Sequence, residues 1–509
     1  MYQWTQRILL LTIVLTNQSW GQSVFISNKS QLNHRKSQFH KPIGHVNDQL
    51  YTIDFGNYQL ETGFTIEQYD EQLGYVKSKE IKTASREWVL KVFSTDSGIF
   101  WISVIRGKRG MVEVLLTKQE LGLTADVEIK RLGSFDWGEI SEKDVVCDYA
   151  INRKLWTLAI MFNSGNRGFQ ASPKIGIIVG DISGKWGYKD GFLPSKMSVT
   201  ELQWKAIEVN NMGEVMCLYF DENRLEKSSL FNGKNIGVSE AFVWIHGKNI
   251  LGENSQPSIG TGTVQAVENV RDVIVVCHPS NQQFYFAGYF QAVESKGLDG
   301  CFVESFDKSK DTCRFIHWFN EIETKQLTGI VNPKRTDKPQ YFETRELIPL
   351  DNGGWVLVGE QYYITRQMET YYVNGVPQNT TRQYFHFGDI ALSFLGLPFQ
   401  NNAFRYDSVI VIRKNQVSSS NNIYLFGYGV YVCGGALNFL YNDNELESNR
   451  IMHVKVGADL TVDRGWLFKQ ENIMGEIIPE EGKQTEYCLF TVPLIRNKEW
   501  YWMQVLGDD

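Results

Sequence analysis

The eight histidines of this 509-residue chain are its most obvious candidates for metal binding and proton transfer. None stands in an HExxH or HxH pattern, the spacings that bring two imidazoles to one metal ion. The chain also lacks the GxSxG turn that presents a nucleophilic serine and the glycine-rich loops that hold phosphates or dinucleotides. We therefore predict no metal and no cofactor, and the sequence assigns no catalytic residue.

Carboxylates lie close together in two segments, NEIE from Asn320 and EIIPEEG from Glu476. The acid and the base of glycoside hydrolases usually come from different structural elements, so proximity along the chain says little about catalysis. We interpret both segments as solvated loops.

One long segment is both polar and aromatic: YYVNGVPQNTTRQYFHF from Tyr371. Long insertions on rigid β scaffolds often carry binding. We predict a ligand-binding loop here, with contacts from Tyr371, Tyr372, Asn374, Arg382 and Tyr384.

Seven cysteines are spread along the chain without a CxxC pair, which argues against a structural zinc site. In an oxidising compartment, Cys301 and Cys313 are the best candidates for a disulfide because the DKSKD segment between them is typical of a turn. Buried unpaired cysteine within strands is the alternative. The odd count leaves at least one thiol free.

The first residues have the layout of a secretory signal peptide. Arg7 precedes an apolar run from Ile8 to Leu15, and small residues follow at Ser19 and Gly21. We predict cleavage after Gly21, so that residues 1–21 are a signal peptide and residues 22–509 form a single domain. The run is shorter than the roughly 20 residues of a membrane helix, so we predict an extracytoplasmic protein, periplasmic or secreted, without a membrane span.

Composition favours a chain of many short strands, since aromatic residues make up 13%, glycines number 44 and prolines only 12. The formal net charge is -7, and lysines and arginines are scattered among acidic residues. Nucleic-acid binders normally concentrate cations on one face, so we predict no nucleic-acid partner.

The elements that would position these residues are repeated hairpins, each a short apolar strand, a polar or glycine-containing turn and an aromatic-rich second strand. Eight turns fit this pattern, from Asn47–Asp48 near the start to Asn497–Lys498 near the end. The second strands begin at Leu50, Ile99, Leu155, Glu214, Phe284, Trp355, Leu437 and Trp500.

A third strand ending in a polar turn follows most hairpins, as in VEVLLTKQEL from Val112 and DSVIVIRKNQ from Asp407. Small four-stranded sheets of this kind become stable when they stack around an axis. We therefore predict an all-β fold, a β-propeller of about eight, alternatively seven, four-stranded antiparallel blades. The last hairpin needs another strand, which the VFIS segment from Val24 could supply. A pair of β-sandwiches or a β-solenoid is the competing architecture.

Four segments resemble uncharacterised secreted β-propeller-type repeat proteins of Gram-negative bacteria. They are GGWVLVGEQYYI from Gly353, FGDIALSFL from Phe387, YDSVIVIRKNQ from Tyr406 and LNFLYNDN from Leu437. The resemblance implies export and a propeller-like fold, and it transfers no catalytic motif.

A repetitive scaffold without recognisable chemistry favours a non-enzymatic protein. We expect it to bind a protein or polymeric ligand through its loops, such as a protein or polysaccharide of the cell envelope or exterior. The alternative is an extracytoplasmic glycan hydrolase or lyase that uses carboxylates around the propeller axis.

Overall fold

The structure is a computed structural model that describes most of the chain. The described residues are 23–27, 39–55, 63–138, 140–150, 154–164, 172–193, 202–221, 242–251, 258–264, 269–292, 295, 297–306, 314–329, 338–350, 353–373, 376–396, 408–418, 423–443, 450–467, 475–497 and 499–507.

These residues form two compact units. The larger unit holds five antiparallel sheets whose strands are neighbours in chain order. The strands are β6 (Glu87–Thr95), β7 (Gly98–Arg106), β8 (Met111–Gln119), β9 (Glu128–Asp136); β10 (Val145–Ala150), β11 (Leu155–Ser164), β12 (Ser172–Asp181), β13 (Trp186–Phe192); β14 (Leu202–Val209), β15 (Val215–Asp221), β16 (Phe242–Lys248), β17 (Ser258–Thr263); β18 (Val270–Cys277), β19 (Phe284–Phe290), β20 (Gly300–Ser305), β21 (Arg314–Trp318); β22 (Phe342–Pro349), β23 (Trp355–Val373), β24 (Val376–Leu395), β25 (Ser408–Ile412) and β26 (Gln416–Ser418). In the fifth sheet, the short extra strand β26 pairs with β24.

The smaller unit holds three further sheets, and its last sheet combines strands from both ends of the chain. Its strands are β1 (Ser23–Ile26); β2 (Phe39–Val46), β3 (Gln49–Phe55), β4 (Phe64–Tyr69), β5 (Tyr75–Ile81); β27 (Gly429–Cys433), β28 (Ala436–Asp443), β29 (Arg450–Val456), β30 (Val462–Trp466); β31 (Glu476–Ile477), β32 (Lys483–Glu486), β33 (Leu489–Arg496) and β34 (Glu499–Leu506).

The protein is therefore a β-propeller with eight antiparallel blades, as the repeated hairpins predicted. The N-terminal strand was also predicted correctly, because β1 pairs antiparallel with β34 and completes the last blade. This strand spans Ser23–Ile26 and so begins one residue before the VFIS segment.

Helix is sparse among the described residues. One α-helix, α1 (Glu321–Thr328), follows β21, and single 3-10 turns span Lys108–Gly110, Glu142–Asp144, Ile423–Leu425 and Pro479–Glu481. No helix in the described part of the chain is both long and apolar enough to cross a bilayer.

The hairpin turns form where residues tolerate positive φ. Asn47 and Asp48 have φ of 51° and 59° between β2 and β3, and Gly434 and Gly435 have φ of 56° and 71° between β27 and β28. Two consecutive residues with positive φ give the turn whose twist matches that of paired strands. The sequence therefore located these hairpins through local backbone chemistry.

The core lies between successive blades of each unit. On β11, Trp156, Leu158 and Ile160 pack into the cluster shared with the β6–β9 blade. Ala159 and Met161, on the opposite face of the same strand, pack into the cluster shared with the β14–β17 blade. Burying an aliphatic or aromatic side chain of this size contributes about 1.5–3 kcal/mol. An inner strand with two apolar faces therefore depends on both neighbouring blades.

The first strands of five blades share a β-bulge, in which one extra residue lies between two paired neighbours. A bulge bends the strand and re-aims the side chains around it. The extra residues are Ile43 in β2, Leu90 in β6, Lys205 in β14, Arg271 in β18 and Arg345 in β22.

A disulfide joins Cys433, at the end of β27, to Cys488, just before β33, with the two Cα atoms 4.6 Å apart. No local pattern in the sequence points to this pair, since the cysteines are 55 residues apart and belong to different blades. The predicted Cys301–Cys313 pair stays a prediction. Cys301 lies buried on β20, and Cys313 lies outside the described residues.

Replacing both Cys433 and Cys488 with alanine should lower the free energy of unfolding by about 3–4 kcal/mol, because a link across 55 residues restricts the unfolded chain. Urea unfolding of the oxidised wild type and of the double variant measures this difference. Reductant should destabilise the wild type and leave the double variant unchanged. Equal stability of the oxidised wild type and the double variant would contradict a stabilising role.

Candidate functional site

The hairpin of β23 and β24 continues well beyond its blade. Strand β22 pairs with β23 only as far as Gln361, and β26 pairs with β24 at Phe385 to Phe387. From there β23 and β24 pair only with each other, among the described residues, up to Val373 and Val376. We call residues 363–373 and 376–384 the arm. Eleven residues of extended strand span roughly 35 Å.

The predicted ligand-binding loop is therefore wrong as a loop, because the segment from Tyr371 forms the end of one strand and most of the next. The strongest local signal for a hairpin in this segment was missed. Asn374 and Gly375 stand between two runs rich in β-branched and aromatic residues. Asn-Gly in this setting is the preferred two-residue hairpin turn. Asn374 itself lies outside the described residues.

The structure separates the predicted contact residues into two groups. In the hairpin register Tyr371 lies opposite Gln378, and Tyr372 lies opposite Pro377. Because successive side chains of a strand point to opposite faces, the two tyrosines occupy different faces of the arm. Tyr371, Arg382 and Tyr384 share one face, which we call the tyrosine–arginine face, and Tyr372 lies on the other face.

Contacts on the tyrosine–arginine face hold its side chains in place. The Tyr384 hydroxyl donates a hydrogen bond of 2.8 Å to Oε1 of Glu369. Arg382 Nη1 lies 3.6 Å from the same oxygen, and the Arg382 guanidinium lies 5.8 Å from the centre of the Tyr384 ring. The hydrogen bond to Glu369 raises the pKa of Tyr384 above its ordinary value. Glu369, which orders both predicted residues, was not among the residues predicted from the sequence.

Aromatic rings continue this face to the base of the arm. Tyr363 stacks on His386 with ring centres 4.3 Å apart, and Tyr341 lies 5.2 Å from Tyr363. Thr365 Oγ1 lies 2.8 Å from Nε2 of His386 and fixes the imidazole. The face therefore offers rings and hydrogen-bonding groups along most of its length.

A buried charge cluster, which we call the anchor cluster, lies where the arm leaves its blade. Glu360 and Lys414 form an ion pair in which both side chains are 1% exposed. Arg345, the bulged residue of β22, places Nη2 3.1 Å from Oε2 of Glu360, and Lys414 Nζ also donates to Gln416 Oε1 at 3.0 Å. Two cations thus compensate one buried carboxylate, and the Gln416 amide oxygen accepts a further hydrogen bond from the buried ammonium group, as burial of charge requires.

A second set of charged side chains lies on the first strands of the larger unit, which contact one another from blade to blade. Lys91 Nζ lies 3.5 Å from Asp148, and Lys205 Nζ lies 3.1 Å from Asp272. Asp272 also accepts a 2.6 Å hydrogen bond from the backbone N–H of Thr344. These contacts link first strands of neighbouring blades.

Three glutamates on these first strands, Glu208, Glu343 and Glu346, have raised pKa values. Desolvation, assisted by the charge of Asp148, raises the pKa of Glu208 to about 8, while a hydrogen bond from the Cys277 backbone opposes the shift. Desolvation raises the pKa of Glu346 to about 7. Protonated carboxyls at neutral pH are the kind of group that a general acid requires.

The two acidic segments noted in the sequence are not solvated loops. Asn320 caps α1, Glu323 returns the capping interaction, and Glu323 Oε1 lies 2.8 Å from Nε2 of His317. In the second segment Glu481 belongs to a 3-10 turn and pairs with Lys41 at 2.8 Å. Both therefore stabilise the fold. No group of three or more histidine, cysteine, aspartate or glutamate side chains could hold a metal among the described residues.

Comparison with known proteins gives similarity of fold. No family model and no curated protein matches the chain. Among solved structures, it is similar to the WD40 domain of SCAP from fission yeast, at 8% identity and a TM-score of 0.40, covering 96% of this chain and 99% of that chain. The β-propeller domain of Cps50 (Swd1) from Myceliophteria thermophila matches at 9% identity and a TM-score of 0.35, covering 96% and 100%. The β-propeller domain of Nup133 from Vanderwaltozyma polyspora matches at 8% identity and a TM-score of 0.37, covering 83% and 100%. Similarity at this level says nothing about ligand or activity.

Replacing Lys414 with methionine should lower the free energy of unfolding by about 3–5 kcal/mol, since Glu360 then keeps a buried charge with less compensation. The double variant Glu360→Leu/Lys414→Met should lose less than the single variant. Urea unfolding measures both. Lys154→Met, which removes the exposed pair with Asp96, is the control and should change stability by less than about 1 kcal/mol. A double variant no more stable than Lys414→Met would refute the pairing.

The contribution of Glu208 to the free energy of unfolding should fall as pH rises from about 4.5 to about 8. The pKa of Glu208 is higher in the folded protein than in the unfolded chain, so the folded state binds the proton more tightly and its advantage disappears as the proton is lost. In the variant Glu208→Gln, the side chain at this position does not titrate in this pH range. The stability of the variant relative to the wild type should therefore increase through this pH window, as measured by urea unfolding at several pH values. A constant difference would show that Glu208 titrates normally.

Proposed function

We propose that this protein is an exported, non-catalytic binding scaffold whose arm contacts a protein or polymeric ligand. The observation that carries the proposal is the arm itself, a two-stranded hairpin that extends roughly 35 Å past its blade with one ordered tyrosine–arginine face. An isolated two-stranded hairpin is only marginally stable in water. Its length therefore serves a purpose other than the stability of the blade.

The side chains of this face suit recognition. Tyrosine and arginine are among the residues enriched at binding hot spots, because they combine a large apolar surface with hydrogen-bonding groups. Glu369 already holds Tyr384 and Arg382 in one arrangement, so binding would order few additional rotamers. The anchor cluster fixes the base of the arm and so helps to hold the tyrosine–arginine face ready for a ligand.

Export is supported by the covalent chemistry of the smaller unit. The Cys433–Cys488 disulfide forms and persists in oxidising compartments such as the periplasm or the exterior. With the predicted signal peptide, it favours a ligand of the cell envelope or the exterior.

The alternative is a glycan hydrolase or lyase that uses carboxylates of the first strands. The observation in its favour is Glu208, whose pKa of about 8 would keep it protonated beside the charge of Asp148. An acid with a raised pKa beside a second carboxylate is the arrangement of many glycosidases.

Binding through the arm can be tested by placing a photo-crosslinking benzoylphenylalanine at position 371 and irradiating the exported protein in its own envelope. We expect one reproducible adduct, and Tyr384→Ala or Arg382→Ala should reduce its yield at least tenfold, because these residues complete the same face. Mass spectrometry of the adduct distinguishes a protein from a polysaccharide.

The matched control carries the crosslinker at exposed Ile129, on the β9 strand of another blade, where no adduct is expected. Equal adducts from both positions, or none from position 371, would argue against binding by this face.

A panel of labelled oligosaccharides tests the alternative function, a glycan hydrolase or lyase. Turnover that Glu208→Gln abolishes would replace the binding scaffold with an enzyme.

A further inference from the structure

The face of the arm opposite the tyrosine–arginine face carries an apolar stripe. Ile364, Met368 and Tyr372 stand at every fourth position of β23, and they are 47%, 73% and 71% exposed. Large apolar side chains in a row on an exposed strand normally mark a surface that another chain covers.

The backbone of β23 is also open along this stretch. The N–H of Tyr362 donates to the Tyr341 carbonyl, on the side of β23 away from β24. In an antiparallel strand alternate residues direct their N–H and C=O groups to the same side. Ile364, Arg366, Met368, Thr370 and Tyr372 therefore direct their backbone groups outward, and no described strand pairs with β23 beyond Gln361 except β24.

The other edge of the arm differs. Pro377 lies opposite Tyr372 in the hairpin register and therefore directs its backbone outward from β24. Proline has no N–H, and natural proteins use it to prevent pairing at a sheet edge. One edge of the arm is thus blocked by sequence, and the edge with the apolar stripe is not.

The residues of the open edge are self-complementary in an antiparallel register centred on Met368. If two β23 strands pair antiparallel about a twofold axis at Met368, Ile364 of one copy lies opposite Tyr372 of the other, and Met368 lies opposite Met368. Arg366 then faces Thr370, and Glu369 faces Gln367, so no like charges are opposed. An axis at Arg366 would place two arginines directly opposite each other.

We propose that two copies of this chain pair through the β23 edges of their arms, in antiparallel register centred on Met368. The five outward-facing residues of each strand supply about ten main-chain hydrogen bonds, and the apolar stripe gains a cross-strand neighbour at every position. The pairing goes beyond the proposed function and does not depend on it, since the tyrosine–arginine face of each arm stays open to a ligand. Two such faces side by side would bind a repetitive polymer with an avidity that one copy lacks.

Sedimentation velocity of the full mature protein over a series of concentrations tests the pairing. The wild type should sediment as a concentration-dependent dimer, and Met368→Pro should be monomeric. Proline at this position removes an outward N–H that the hairpin itself does not use. Thr381→Pro is the matched control, because Thr381 lies opposite Met368 and faces the other edge. It should remain dimeric.

A cysteine crosslink tests the register. Two residues facing each other in a hydrogen-bonded antiparallel pair have Cα atoms about 5.5 Å apart, within reach of a disulfide. Met368→Cys should therefore form covalent dimers on mild oxidation, and Thr381→Cys should not. A wild type that stays monomeric at all concentrations would overturn the pairing, and so would a dimer that survives Met368→Pro. The crosslinking result at position 371 would still decide the proposed function separately. A monomer that captures a strand from a different protein at this edge would equally overturn the pairing.

Discussion

Contact between the faces of neighbouring sheets is the interaction on which this molecule depends. A four-stranded sheet whose inner strands are apolar on both faces, as β11 is, must be covered on both sides. Trp156 and Leu158 contribute to one interface and Met161 to the next, so that successive blades of a unit share their stability. Each blade on its own would expose apolar surface that the chain cannot compensate.

Charged side chains pair with one another along the first strands of the larger unit. Lys91 pairs with Asp148 and Lys205 pairs with Asp272, in each case from one blade to the next. The recurrent bulge in these strands turns residues such as Arg345 out of the regular alternation. Arg345 then reaches Glu360, so the same irregularity that shapes a first strand also fixes the base of the arm.

Local patterns were sufficient for most of the architecture and failed where one blade departs from the repeat. The turns at Asn47–Asp48 and Gly434–Gly435 were located correctly, because positive φ is a property of two adjacent residues. In the sixth unit, DSVIVIRKNQ was assigned as the third strand, but β25 is the fourth, since the 20-residue β24 precedes it. Length and polarity made that segment resemble a loop, although its turn signal, Asn374-Gly375, was present in the sequence.

The sequence by itself determined the all-β class, the repeated hairpins and the strand from the N-terminal region that completes the last blade, because alternation and turn chemistry act between neighbouring residues. Only the tertiary structure decided that Cys433 meets Cys488, that Lys414 is buried against Glu360 and that Glu208 is desolvated near Asp148. These partners are far apart in the sequence, and two of the three pairs join different blades. Their meeting depends on how the strands and blades pack, and no local pattern encodes that packing.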